Sequence, residues 1–335
     1  MIRFKSRRGV QIATTGVLLT WLAAALLPSA CSRAEPRRTY RIGLGPWVGF
    51  GPLYLARDKG YFAAESVQVE LIVLTGLAER NSALRSGQLD ALAAPVDYFV
   101  LSAGNGLPMS IVMAIDESVG GDGIVAKRSI RHFTELRGRR VAFQRGLPSE
   151  FFFRALLLEN AVDIDSVRTV DMETAQAGAA FLAGDLDAAV LWEPWLTRAV
   201  EQGGGHVLAS TRDHRDLIVD CLAFNPGVVA RSAADVQRIV NAILRAIDYA
   251  KTNPVEASDI MAPYFQLDAI KFRDILTGLE FADPARNRSY FGSAQRRGPV
   301  FGVAERASAI WRGAGVVDRT VTANSIITSL FVANH

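Results

Sequence analysis

The chain has 335 residues; half of them are hydrophobic, 21% are charged, and 37 Lys and Arg nearly balance 34 Asp and Glu. This composition excludes a disordered protein and predicts one large or two ordinary globular domains. Two cysteines, Cys31 and Cys221, exclude a disulfide framework. Residues 1–34 hold five basic residues and no acidic one. Without them the chain is slightly acidic, so nothing in its charge points to nucleic acid as the main partner.

The N-terminus has the layout of an export signal, which we assign to residues 1–34. The basic segment Met1–Arg8 is followed by the apolar run Val17–Leu27, which is too short to span a bilayer comfortably. Cleavage after Ala34 would give a soluble periplasmic protein. The alternatives are cleavage before Cys31, which would give a lipid-anchored protein, and a retained membrane anchor.

Strands and helices alternate along the rest of the chain. The predicted strands are Arg41–Leu44, Val67–Leu74, Ala91–Ala93, Ile111–Ala114, Gly123–Ala126, Val141–Phe143, Val167–Val170 and Ala188–Leu191. The predicted helices begin near Pro52, after Leu74, and at Val96, Ser149, Ala175 and Pro194, and the longest covers Val236–Thr252. Strands separated by helices of about 10–15 residues are typical of βαβ units and mostly parallel sheets.

One sequence pattern occurs twice, 97 residues apart. Leu84–Ala91 and Phe181–Ala188 both read as a helix end, a glycine, one further residue and Leu-Asp-Ala before a strand. The glycine is typical of a helix stop in the left-handed conformation. Because the spacing is too long for a solenoid repeat, the pattern predicts two similar α/β lobes. A chance match is the alternative.

Several segments, in this order and spacing, are similar to one family of exported proteins. They are Gly45–Ala56, Lys59–Phe62, Ser86–Ala91, Glu135–Ala142, Gly184–Ala188 and Trp192–Trp195. Together they resemble the SsuA/THI5-like group, the nitrate/taurine/sulfonate and thiamine-pyrimidine binding proteins of ABC importers. The resemblance covers residues of about 40–230 well and the C-terminal helical part more loosely.

This resemblance implies the α/β type II periplasmic binding protein fold, with two α/β lobes of mostly parallel sheets joined by two crossing strands. We expect the first lobe over 39–127 plus 224–335 and the second over 128–223, with crossings near Val125–Lys127 and Asp220–Ala223. Ligand would bind in the cleft between the lobes, where the carboxyl ends of parallel strands meet. Closure of the lobes around it would be the functional motion.

The function that the resemblance implies is that of a periplasmic solute-binding protein. It would capture one small polar molecule as a monomer and deliver it to the membrane permease and ATPase of an ABC importer. Two alternatives stay open: a pyrimidine-forming enzyme of the same group, and a ligand-sensing receptor that is not coupled to transport.

Two segments of the first lobe supply candidate ligand-binding residues. Trp47 and Phe50 lie in a glycine-rich loop, where aromatic rings stack on a flat ligand or belong to the core. Asp116, Ser118 and Asp122 follow a strand, which places them at the mouth of the cleft or in an ordinary solvated turn.

Two segments of the second lobe supply further candidates. Arg145 and Ser149 link a strand to a helix, where they bind an anionic group or only cap the helix. Trp192 and Glu193 end a buried strand, at a position that commonly contributes to the pocket in the resembled family. The alternative for Glu193 is a place in the first helical turn, stabilised by the helix dipole.

The acidic candidates, to which Asp97 and Asp220 are added by placement, bear on the ligand's charge. Carboxylates facing a sulfonate or nitrate would repel it unless they were protonated or offset by a cation. They therefore favour a neutral or cationic nitrogen-bearing ligand, which the tryptophans would suit if it is aromatic. Arg145 keeps an anionic ligand possible.

No motif in the sequence indicates an enzyme, a metal site or a cofactor. The four histidines His132, His206, His214 and His335 are scattered and lack metal-ligand spacing. The glycine-rich loop misses the dinucleotide-binding spacing, and no phosphate-binding P-loop occurs. Cys221 has apolar neighbours, which favours a buried structural thiol over a nucleophile.

Overall fold

The computed structural model describes residues 38–293 and 296–333. The predicted export signal, residues 1–34, and the alternative lipid site Cys31 lie outside the described residues. Within these ranges no helix combines the length and the apolar character needed to cross a membrane.

The described strands form two sheets. The first contains β1 (Thr39–Leu44), β2 (Gln68–Val73), β3 (Ala91–Pro95), β4 (Ser110–Ser118), β10 (Val219–Phe224) and β11 (Leu279–Phe281), in the order β11-β4-β10-β3-β1-β2. The second contains β5 (Asp122–Ala126), β6 (Arg140–Phe143), β7 (Arg168–Asp171), β8 (Ala188–Trp192) and β9 (His206–Ser210), in the order β7-β6-β8-β5-β9.

The helices alternate with these strands as the sequence predicts. In the first two-thirds of the chain they are α1 (Gly51–Asp58), α2 (Tyr61–Ala64), α3 (Leu77–Arg85), α4 (Val96–Gly104), α5 (Pro148–Glu159), α6 (Thr174–Leu182) and α7 (Trp195–Gly203). The remainder is mainly helical, with α8 (Pro226–Thr252), α9 (Pro254–Met261), α10 (Ala269–Leu276), α11 (Pro284–Phe291) and α12 (Pro299–Gly313).

Both sheets are mixed, although most of their strands point the same way. β1, β2 and β3 pair in parallel, as do β6, β7 and β8. β10, β11 and β5 run antiparallel to their neighbours. The prediction of parallel strands therefore holds for the βαβ part of each sheet, where helices make the crossovers.

The chain passes between the sheets earlier than the sequence suggested. The links are residues 119–121 and 211–218, whereas Val125–Lys127 and Asp220–Ala223 were expected to cross. The expected segments lie largely within β5 and β10 instead, and both strands have neighbours on either side. Their apolar, extended character reflects interior strands buried on both faces, not hinges. The lobe boundaries 39–127, 128–223 and 224–335 stay a prediction.

The repeated Leu-Asp-Ala pattern has the same structural role in each sheet. Gly87 and Gly184 end α3 and α6 in the left-handed conformation, with φ of 72° and 85°. The Asp90 carboxylate then accepts a 3.0 Å hydrogen bond from the Arg41 amide, and Asp187 accepts one of the same length from the Arg140 amide. Each aspartate thus fixes the start of the next strand against the first strand of its own βαβ unit.

Candidate functional site

A cavity lies where the carboxyl ends of strands from both sheets meet. The centre of a water molecule can occupy about 50 Å³ of this cavity, and part of it is open to solvent. The residues following β1, the end of β3 and the end of β8 line it, together with the start of α5. We call it the inner cavity and define it by its aromatic and charged walls: Trp47, Phe50, Arg80, Asp122, Trp192 and Asp220.

Trp47 is held in this wall by a buried hydrogen bond. Its indole Nε1 donates to Asp116 Oδ1 over 3.1 Å, and the carboxyl group is fully buried. A Cβ at Gly49 would lie 2.3 Å from both Asp116 Oδ2 and Trp47 Nε1, so only glycine fits beside this pair. The glycine-rich loop therefore serves the close packing of the tryptophan against the first sheet.

Four aspartates lie in or behind the inner cavity. Asp97, Asp116, Asp122 and Asp220 are at most 5% exposed. Both carboxyl oxygens of Asp97, and one each of Asp116 and Asp122, are buried without a hydrogen-bond partner. Buried carboxyls in this state are costly when charged, and they are satisfied by protonation or by a bound donor.

Burial controls the ionisation of these four groups. It raises the pKa of Asp97 to about 8 and that of Asp116 to about 8. The pKa of Asp122 rises to about 7, mainly by burial and further through the charge of Glu193. Burial and the neighbouring aspartates Asp116, Asp122 and Asp97 raise the pKa of Asp220 well above its usual value. Burial thus favours the neutral form of all four carboxyl groups.

One buried cation faces the same cavity. Arg80, 6% exposed, donates from Nε to the carbonyl of Leu74 over 3.1 Å. Among the described residues its guanidinium has no carboxylate within salt-bridge distance. Burial lowers the pKa of Arg80, and the charge of Asp220 opposes that shift. The inner cavity therefore presents the hydrogen-bond acceptors of its aspartates next to the guanidinium donor group of Arg80.

A second, wider space lies beside the inner cavity. Arg80 and Trp192 line both spaces. We call it the outer chamber; its polar and aromatic walls include Gln144, Glu173, Thr174, Glu193, Arg198 and Tyr264.

The structure brings together five of the eleven predicted binding residues in the wall of the inner cavity. These are Trp47, Phe50, Asp122, Trp192 and Asp220. Asp97 and Asp116 are buried behind it, and Glu193 lines the outer chamber.

Glu193 is also tied to the helix that follows it. Its carboxylate accepts a 2.7 Å bond from the Thr197 hydroxyl and a 3.2 Å bond from the Thr197 amide. These bonds hold Glu193 just before α7, whose N-cap residue is Pro194, so Glu193 does not lie in the first helical turn where the alternative placed it.

The remaining three candidates have local roles. Ser118 Oγ lies 2.8 Å from Thr211 Oγ1, between the two links that join the sheets. The Ser149 hydroxyl accepts a 3.0 Å bond from the Gln144 amide, which lies before α5. Ser149 does not cap the helix, because the N-cap residue of α5 is Leu147. The Arg145 side chain is exposed and does not line either space.

Sequence reasoning missed Arg80 and Thr174. Arg80 looks like one polar residue among several in the helix that follows β2, and Thr174 resembles an ordinary first residue of α6. Both lie in the first turns of helices that follow parallel strands. The rule that ligands bind outside the carboxyl ends of such strands was the signal that could have selected them.

The described residues contain no group of three or more His, Cys, Asp or Glu arranged to hold a metal ion. Cys221 is buried and free, and burial raises the pKa of its thiol well above the usual value, so it is not activated as a nucleophile.

The sequence profile of the NMT1-like family matches residues 33–263. The chain belongs to the NMT1-like family. A provisionally named binding protein of Brucella abortus (strain 2308) is 24% identical over 253 residues, which are 74% of this NMT1-like chain and 77% of the relative.

Solved structures share the fold of this NMT1-like chain. The alkanesulfonate-binding protein SsuA from Xanthomonas axonopodis pv. citri, bound to MOPS, has a TM-score of 0.73 at 17% identity, covering 88% and 99% of the two chains. A ligand-binding component of an ABC-type import system from Staphylococcus aureus has a TM-score of 0.70 at 13% identity, covering 89% and 99%. These matches establish the type II periplasmic binding protein fold.

Two further matches carry enzyme names. A 4-amino-5-hydroxymethyl-2-methylpyrimidine phosphate synthase of Aspergillus parasiticus is 25% identical over 229 residues, 62% of this chain and 64% of that protein. The desulfurization enzyme DSZB has a TM-score of 0.62 at 17% identity, covering 89% and 98%. The sequence relatives and fold neighbours of this chain therefore include proteins named as binding proteins and proteins named as enzymes, and the site decides between them.

Proposed function

We propose that this NMT1-like chain is a periplasmic solute-binding protein that captures a small, polar, nitrogen-bearing molecule in the inner cavity. It then presents the closed, loaded form to the permease of an ABC importer. The names of the Brucella and Staphylococcus matches support the binding and transport parts of this proposal.

The observation that carries the proposal is the set of unsatisfied carboxyls behind an aromatic wall. Asp122 and Asp220 line the inner cavity, and one buried oxygen of Asp122 lacks a partner, as do both of Asp97 and one of Asp116 behind the wall. An N–H donor satisfies such oxygens, and a positive charge on it favours their ionised form. Trp47, Phe50 and Trp192 offer faces on which a flat or cationic group packs.

The lining also favours a binding protein over an enzyme. No Ser, Cys or His from the described part of the chain lines the inner cavity. A serine, cysteine or histidine nucleophile is therefore absent from this described wall, and His132, His206 and His214 lie outside both spaces.

The first test is native mass spectrometry of the protein purified without ligand exchange, followed by identification of any small molecule released on denaturation. We expect a nitrogen-bearing adduct of one molecule per chain. Asp220→Asn, which keeps the shape of the side chain but removes its charge, should lose the adduct or bind it at least about tenfold more weakly.

Asp213→Asn is the matched control, because Asp213 is exposed and outside the cavity wall. It should keep the adduct. Retention of full affinity by Asp220→Asn, or an adduct without nitrogen, would contradict the proposed ligand class. Conversion of the released compound by the purified protein would favour the enzyme alternative.

A further inference from the structure

One residue of the outer-chamber wall carries a buried hydroxyl without a partner. Thr174 is 4% exposed, and its Oγ1 has no hydrogen-bond partner. The same residue lines the outer chamber beside Gln144. A buried hydroxyl left in this state costs free energy, and a group of a bound ligand would satisfy it.

Thr174 is also the first residue of α6, a helix of nine residues. Glu173 precedes the helix without capping it through its side chain. The backbone amides of the first turn therefore point toward this end of the chamber without a side-chain acceptor. Free amides and the helix dipole favour a negatively charged group at this position.

The arginines of the chamber wall add positive charge. Arg198 lies over the Trp195 ring at 4.9 Å from its centroid and, within the described ranges, has no salt-bridge partner. Arg80 lines the boundary with the inner cavity. The acidic residues of the wall are Glu173, which is exposed, and Glu193, whose carboxylate is engaged by Thr197.

We propose that the start of α6, with the Thr174 hydroxyl and Arg198, is an anion subsite that binds a carboxylate or another oxyanion group of the ligand. This inference rests on the proposed function, since the nitrogen-bearing end of the same ligand would occupy the inner cavity. The ligand class is then a zwitterion, with its cationic end beside Asp122 and Asp220 and its anionic end beside Thr174.

Two pairs of probes separate the subsite from the inner cavity. Benzamidine and 4-amidinobenzoate share an amidinium, and butylamine and 4-aminobutanoate share an ammonium; only the second member of each pair carries a carboxylate. We expect calorimetry to give the carboxylated member of at least one pair about tenfold higher affinity. Thr174→Val and Arg198→Gln should remove this advantage and leave the affinity for benzamidine or butylamine unchanged.

Two variants serve as controls for these substitutions. Thr174→Ser keeps a hydroxyl and should therefore retain the higher affinity for the carboxylated probe that Thr174→Val loses. A loss of affinity caused by altered folding would not depend on whether the substituted residue carries a hydroxyl. Arg168→Gln removes an exposed arginine of β7, outside both spaces, and should change nothing. Thermal melts of all four variants establish that they are folded.

The failures of the two proposals differ. If an amine binds, and Asp220→Asn abolishes that binding, but the carboxylate adds no affinity, the anion subsite is overturned and the proposed function stands. Equal losses for both members of a pair in Thr174→Val would also overturn the subsite. If no probe of either pair binds, the nitrogen-bearing ligand class falls together with the subsite.

Discussion

The position of Trp47 depends on a close approach between three groups. The indole donates to Asp116, and Gly49 packs against both side chains with no room for a further carbon atom. Since the ring also lines the inner cavity, its place couples the packing of the first sheet to the shape of the binding wall. The residue with no side chain is therefore as important to the site as the residues that face it.

We predict that Gly49→Ala weakens ligand binding and destabilises the protein. The added methyl must displace the Asp116 carboxyl or the indole, and overpacking of this kind costs about 1–3 kcal/mol. A thermal melt should show a lower Tm, and titration with the ligand identified by mass spectrometry should show reduced affinity. Gly302→Ala is the matched control, because Gly302 lies in exposed space within α12. It should leave binding unchanged and Tm equal or higher, since alanine favours a helix.

The sequence predicts some residues of the site and not others for a physical reason. Asp122 and Asp220 lie in strands whose other residues are mostly apolar, so an acidic residue stands out from the sequence pattern. Arg80 and Thr174 lie in helices with many polar positions, and only the packing shows that their polar atoms point inward. The same holds for Ser149 and Ser118, whose hydrogen bonds to Gln144 and Thr211 no local pattern indicates.

The two links between the sheets are joined through one side chain. Thr211 Oγ1, in the second link, lies 2.8 Å from Ser118 Oγ and accepts a 2.8 Å bond from the Gly120 amide in the first link. Nearby, the Glu117 carboxylate binds Arg215 at 2.9 Å and also contacts Arg286. These bonds fix both links to the C-terminal end of β4, so motion between the sheets has to strain or rearrange them.

We predict that Thr211→Val destabilises the protein by about 1–3 kcal/mol, because it leaves the Gly120 amide and the Ser118 hydroxyl without this partner. Chemical denaturation measures the loss. Thr211→Ser retains the hydroxyl and should recover most of it. Equal stability of Thr211→Val and the wild type would mean that the contact does not hold the links together.

At the scale of elements, most strands and helices of the βαβ parts follow from the sequence. β9 and β11 were missed, because His206–Ser210 and Leu279–Phe281 are short edge strands whose residues lack a continuous apolar run. β10 was recognised as buried and extended but placed as a crossing. Sheet membership depends on long-range pairing, which no local pattern specifies.

For the molecule as a whole, the buried aspartates make stability depend on pH. Their ordinary pKa values are near 4, whereas burial raises those of Asp97 and Asp116 to about 8 and that of Asp122 to about 7. At pH values between the ordinary and the raised pKa, these aspartates stay protonated in the folded protein but have lost their protons in the unfolded chain. The stabilising effect of these groups is thus fully present below about pH 4 and is lost as pH rises through 7 and 8.

Other carboxylates act in the opposite sense but in a different pH range. The Arg140 amide and Lys127 lower the pKa of Asp187 against desolvation, and the Arg215 and Arg286 guanidinium groups lower that of Glu280. Their contribution is present above about pH 4 and is lost only in acid. The interval from pH 5 to pH 8 therefore reports mainly on the buried aspartates.

We predict that the ligand-free protein becomes less stable as pH rises from 5 to 8, by at most about 1.4 kcal/mol per pH unit for each group that stays protonated. Asp97→Asn mimics the protonated carboxyl, so it should reduce this slope and raise Tm at pH 8 while changing Tm little at pH 5. Asp213→Asn, at an exposed position, should reproduce the wild-type slope. Thermal melts across this interval measure both effects. A flat wild-type profile, or an Asp97→Asn variant with the wild-type slope, would mean that Asp97 is charged or hydrated in the folded protein at neutral pH.

Addition of a cationic ligand should flatten the wild-type profile at its upper end, because the bound positive charge stabilises the carboxylates that burial alone disfavours.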